Sequence, residues 1–145
     1  MRLWHVDMIP ALPRMQLLGQ HREVAALRGL GWGKKHKTVN YVFDYSPFLL
    51  YRYHINVLDE MQKRGYEPDR EWFKVDYRGK RCELYPYDSL SLPFNAENMF
   101  YPEHNDSYLQ ECLTNLKDKI DSAPEGKYSA EDKKRFFDFY KERSA

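Results

Sequence analysis

The sequence predicts a mostly α-helical fold: a compact single-domain bundle of about four helices with a long ordered loop region. Three observations predict it. Apolar residues recur at helical spacing in several separate segments, while the alternation that marks strands is almost absent. Cap residues, prolines and glycines stand at the edges of those segments. The chain has 145 residues, 42% of them hydrophobic, which is enough for one real core and too little for two comfortable domains. One domain over residues 1–145 is therefore expected.

The first helix opens at Leu12-Pro13, with proline suited to the first helical position. Leu17, Leu18, His21, Val24, Ala25 and Arg28 follow at helical spacing until Gly29, Gly31 and Gly33 stop it. The second begins at Ser46-Pro47, a cap residue followed by proline, and carries Leu50, Tyr53, His54, Val57, Leu58 and Met61 before Gly65 ends it. His54 reads as a core-lining histidine. From Glu67 to His104 the chain is polar and aromatic, broken by Pro68, Pro86, Pro93 and Pro102, and reads as ordered loop with short turns or helical pieces. A third helix follows Asn105 or Asp106 with Leu109, Cys112, Leu113, Leu116 and Ile120 on one face. Pro124-Glu125-Gly126 separates it from a fourth, which follows Ser129 and has Asp132 in an approximate capping box. Phe136, Phe137, Phe139 and Tyr140 read as the core packing of that last helix.

Several classes are disfavoured by composition. Cys82 and Cys112 form no CxxC, and no histidine stands at metal-ligand spacing from them, so neither a metal nor another cofactor is expected. No apolar stretch approaches the roughly 18 residues of a membrane span, and residues 1–10 lack the apolar core of a signal peptide. A cytoplasmic monomer is the expectation, with no membrane partner. Twelve Tyr, eight Phe and three Trp argue for a folded chain. The net charge of +1 hides an asymmetry: residues 1–54 hold eight Lys/Arg against three Asp/Glu, a balance of +5, and the rest hold fifteen against nineteen, or −4. A first third folded onto one face would attract phosphate there.

Residues 19–37 read GQHREVAALRGLGWGKKHK. Arg22 and Glu23 are adjacent on the first helix and so do not face each other. They are either a solvated surface pair or a functional one. Lys34, Lys35, His36 and Lys37 are either a solvated loop or phosphate contacts, and Gly31, Trp32 and Gly33 before them permit close backbone approach and stacking.

The opening MRLW, the QHRE at 20–23, the KKHKTVNYVF at 34–43 and the YRYHINVLDEMQKRGY at 51–66 together resemble the pyrimidine-dimer DNA glycosylases, the phage endonuclease V type with its bacterial relatives. The resemblance covers roughly the first half. It implies a helical DNA glycosylase with abasic-site lyase activity, acting on double-stranded DNA that carries a pyrimidine dimer, another damaged base or an abasic site. It also implies that the N-terminal amine is the nucleophile and that Glu23 stabilises charge and transfers protons. Phage members carry a small threonine after the initiator, which is then trimmed; Arg2 is too bulky for that, so the amine would be that of Met1. An α-amine suits the task, with a pKa of about 7.7–8.0 against about 10.4 for lysine. The expected DNA contacts are Arg2, His21, Arg22, Arg28, Lys34, Lys35 and His36, with Arg22 on a phosphate. A non-catalytic nucleic-acid-binding protein on the same scaffold is the alternative.

Overall fold

The computed structural model describes residues 2–29, 38–91 and 100–145. Met1 and the 31–37 stretch, with Lys34, Lys35 and His36, lie outside the described residues. Among those described, the architecture is all α, with helices α1 (Arg14–Arg28), α2 (Pro47–Lys63), α3 (Asp106–Asp121) and α4 (Ala130–Arg143), short 3-10 turns between them and no strand. None of these helices is long and apolar enough to cross a membrane.

Local chemistry sets the helix ends. Ser46 Oγ accepts the Phe48 N–H at 3.2 Å at the head of α2, and at its tail Gly65 takes φ +91°. The Gly65 N–H returns to the Gln62 carbonyl and the Tyr66 N–H to that of Met61, closing a Schellman turn. Asn105 Oδ1 caps α3 through the Tyr108 N–H, and Ser129 Oγ caps α4 through the Asp132 N–H. The buried faces of α2 and α3 are those their spacing predicts. On α4, Phe136 alone is fully buried, with Phe137, Phe139 and Tyr140 packed half-buried around the core. Between α2 and α3, the described residues hold only the short turns Arg70–Phe73 and Tyr87–Leu90.

Two features differ from expectation. Residues 2–12, which show no helical period, thread through the core: Leu3, Trp4, Met8, Ile9 and Leu12 are buried, and Val6–Ala11 forms a 3-10 helix. Two 3-10 turns with Pro10 inside them are too short to leave a periodic trace. This segment is fastened to the last third of the chain. The Val6 N–H donates to His104 Nδ1 at 3.0 Å, the Tyr108 hydroxyl to the Leu3 carbonyl, and Arg143 pairs with Asp7 at 3.0 Å.

The second difference is the face that α1 buries. Pro13 is the N-cap rather than the first helical residue, and the buried positions are Leu17, Gln20, Val24, Leu27 and Arg28, whereas Leu18, His21 and Ala25 are half-exposed. Two polar side chains thus hold core positions: Gln20 bonds through both its amide oxygen and nitrogen, and Arg28 through both Nη atoms, its buried Nε alone having no partner among the described residues. Arg28, expected as a DNA contact, is fully buried. Its Nη1 donates to the Trp72 carbonyl and to His54 Nδ1, and its Nη2 to the carbonyls of Lys74 and Tyr77, all within 2.8–2.9 Å. Burial lowers its pKa to about 10, so it remains a cation that ties residues 72–77 to α1 and cannot reach a phosphate.

Those bonds dictate protonation. His54 Nδ1 accepts from a guanidinium, so its proton sits on Nε2, which donates to His21 Nδ1 at 2.9 Å. His104 accepts from the Val6 N–H and donates through Nε2 to the Tyr41 hydroxyl at 2.8 Å. Burial accordingly holds His54 well below its usual pKa, with the Arg28 charge adding to the effect, and brings His104 down to about 3. Unfolded histidines titrate near 6.5. Between that value and the folded one, the unfolded chain binds more protons, so stability falls as pH drops below about 6.5, by up to about 1.4 kcal/mol per pH unit for each such histidine. Urea unfolding from pH 7 to 5 is expected to show this decline, with uptake of about two protons from these two residues at the acid end. A stability profile flat over that range would show that the histidines are not held neutral.

Candidate active site

A cleft of about 530 Å³ lies where the N-terminal segment, α1 and α3 meet. Arg2 and Trp4 form one side, Gly19, Arg22 and Glu23 of α1 the floor, and Asn115 and Lys119 of α3 the far side. Gln20 organises it. Buried to 1% exposure, its Oε1 accepts the Trp4 N–H at 2.7 Å and its Nε2 donates to the Arg2 carbonyl at 3.1 Å and to Glu23 Oε2 at 3.0 Å. The Tyr53 hydroxyl lies 2.7 Å from both Gln20 Oε1 and the Trp4 carbonyl. One amide therefore ties the backbone at residues 2–4 to the Glu23 carboxylate, which lies one helical turn further along α1.

Glu23 is half-buried, and loss of solvent raises its pKa while the charges of Arg22 and Lys119 pull it back down. A carboxylate in such surroundings is poised for proton transfer. Arg22 is exposed and enters no ion pair or hydrogen bond among the described residues. The two neighbours are not a mutual surface pair: Glu23 turns into the cleft and Arg22 lies exposed at its edge, without a partner among the described residues. Arg2 lies 3.4 Å from Glu111 and has its guanidinium carbon 5.8 Å from the Trp4 ring centre. Lys119 Nζ lies 5.6 Å from that same ring, so two cations flank the indole in the cleft wall.

Of the residues singled out in the sequence, Arg2, Arg22 and Glu23 come together here. His21 does not line the cleft; its ring is bonded to His54 and set edge-on to Trp72. Arg28 is in the core. In the sequence Gln20 figures only as the first letter of the QHRE motif, with no role assigned to it, and Asn115 and Lys119 had no signal there. Gln20 looks like any helix-surface glutamine, and the two α3 residues reach the cleft only through the tertiary fold.

A model of the pyrimidine dimer DNA glycosylase family matches residues 1–74, half of the chain. The protein belongs to this family. As a member it is a DNA-repair glycosylase, and DNA is its substrate. The matched stretch contains Arg2, Gln20, Arg22, Glu23 and all of α2, but neither Asn115 nor Lys119, so the glycosylase's cleft is completed by residues outside the match. No curated protein and no solved structure matches the chain.

Proposed function

We propose that the protein excises a pyrimidine dimer or another damaged base from double-stranded DNA and then cleaves the abasic site, with the α-amine of Met1 as nucleophile and Glu23 as the acid–base group. The observation that carries this reading is the Gln20 amide, which ties the Arg2 carbonyl and the Glu23 carboxylate to one side chain. The nucleophile then belongs to the residue just before a fixed backbone group.

The chemistry follows. The neutral amine attacks C1′ of the damaged nucleotide and the N-glycosidic bond breaks, its electron pair leaving with the base, which is then protonated. Opening of the deoxyribose ring gives an iminium between C1′ and the α-nitrogen. That iminium acidifies C2′; Glu23 removes a C2′ proton, and the C–H electrons expel the 3′ phosphate by β-elimination. Water hydrolyses the imine and frees the amine. Ionised Glu23 also stabilises the positive charge that builds on the sugar, and Arg22 at the edge holds a neighbouring phosphate.

Borohydride reduction in the presence of a duplex with one abasic site is the test. The expected result is a covalent protein–DNA adduct whose proteolytic fragment carries the sugar on Met1. No adduct would indicate a non-catalytic binder, and an adduct on a lysine would move the nucleophile elsewhere.

A further inference from the structure

We infer that the turn at residues 78–81 is a second contact for the DNA backbone, in which Lys80 and Arg81 hold phosphates of a strand that continues from the Glu23 cleft along α1. This rests on DNA being the substrate.

A second groove, of about 480 Å³, lies at the other end of α1. Its floor is Ala25, Ala26 and Gly29, and its wall is the turn from Tyr77 to Cys82. On a helix, residues 15, 19, 22, 26 and 29 form one stripe, because successive spacings of three and four return to the same face. The first cleft contains Met15, Gly19 and Arg22, and the second groove Ala26 and Gly29. The two are thus strung along a single line of exposed and half-exposed positions that runs from α1 to its C-cap. Seven residues from Arg22 to Gly29 cover about 10 Å at 1.5 Å per residue, the axial rise of about three base pairs.

The turn is cationic within the part of the chain whose overall balance is acidic. Lys74, Arg78, Lys80 and Arg81 stand against Asp76 across residues 74–82. Arg78 is committed to the fold: its Nε donates to the Arg28 carbonyl at 2.9 Å, its Nη2 to that of Gly29 at 3.2 Å, and its guanidinium carbon lies 4.5 Å from the Tyr85 ring centre. Tyr85 donates to the same Arg28 carbonyl, and Arg28 in return holds the Tyr77 carbonyl. A Cβ at residue 29 would meet the Arg78 carbonyl at 2.8 Å, so glycine there lets the turn close onto the helix end. Lys80 and Arg81 are left exposed, with no hydrogen bond or ion pair among the described residues.

Two positive side chains on a fastened turn are pre-positioned phosphate donors, since little ordering remains to be done on binding. Among the described residues Asp69 is the one carboxylate lining the groove, and its Oδ1 already accepts the Glu71 N–H. The aromatic residues argue for backbone rather than base as the occupant. Trp72 and Tyr77 pack edge-to-face on each other at 4.8 Å, and the Trp72 ring lies against Arg28 and His54, which leaves no open pair of faces for a nucleobase.

The test compares Lys80→Gln/Arg81→Gln with Lys133→Gln/Lys134→Gln on the exposed side of α4. The probe is a short duplex with a tetrahydrofuran abasic analogue, titrated with salt by fluorescence anisotropy. Single-turnover cleavage of a natural abasic duplex is followed at saturating protein. The turn variant is expected to bind more weakly, and the magnitude of its log K against log salt slope is expected to fall by about 1.8, at about 0.9 per lost phosphate contact. Its bound-state cleavage rate should stay at the wild-type value, and the α4 variant should match wild type in the slope. An unchanged slope in the turn variant, or an equal loss in the α4 variant, would overturn the inference. Wild-type protein that fails to bind the duplex would overturn it together with the repair reading. A slope loss in protein that binds but does not cleave would support the turn contact and sink only the lyase chemistry.

Discussion

Glu23→Gln is expected to lower the single-turnover rate of abasic-strand cleavage by about 10²-fold or more, while the affinity for the same duplex stays near wild type. The substitution keeps the size of the side chain and an oxygen that accepts from Gln20 Nε2, and removes the charge and the proton-accepting capacity. The wild-type pH profile carries a second signature. Burial raises the Glu23 pKa, and the proposed chemistry needs both the neutral amine and the ionised carboxylate, so the rate, already falling as the amine protonates, steepens through a second acid limb above the ordinary carboxylate value of about 4.3. Lys119 lowers that pKa through its charge, so Lys119→Gln is expected to move the limb to higher pH. A Glu23→Gln rate equal to wild type would return Glu23 to the status of a surface carboxylate.

Gln20→Leu should destabilise the protein by about 2–4 kcal/mol, because the Trp4 N–H then lies in the core without an acceptor and the Tyr53 hydroxyl keeps only one of its two neighbours. The midpoint of urea denaturation reads this directly. Gln20→Glu separates folding from chemistry. It retains an oxygen for Trp4 but replaces the donor to Glu23 with a second carboxyl, so cleavage should fall by more than the stability change explains and the acid limb should shift upward. A Gln20→Leu protein as stable as wild type would show that the buried amide is not the tie between the N-terminal segment and α1.

Helices α2, α3 and α4 were legible in the sequence because what specifies them is local: Ser46-Pro47, Asn105 and Ser129 cap them, and the apolar spacing of α2 and α3 matches the face they bury, while α4 fully buries only Phe136 of its aromatic cluster. The inward face of α1 was not. Gln20 and Arg28 occupy positions that apolar residues usually hold, and what justifies them there lies far away in the chain, at Trp4 for one and at residues 72–77 for the other. The site divides along the same line. Arg22 and Glu23, singled out in the sequence, line one cleft, whereas Lys119 enters it only because α3 packs across the N-terminal segment. Arg28 was misread for the complementary reason, since an arginine on a helix shows nothing of the carbonyls that will surround it.

The threading of residues 2–12 beneath α3 and α4 orders events in time. Ribosomes release this segment well before its partners: His104, Tyr108 and Arg143, which clasp it, emerge 98 to 136 residues later. At translation speeds of about 5–20 residues per second, that gap lasts on the order of ten seconds. Throughout it, residues 2–12 lack these partners, and the wall that α3 contributes beside Glu23 does not exist. An unfinished chain therefore carries Glu23 without a completed cleft, whose far wall arrives only with Asn115 and Lys119.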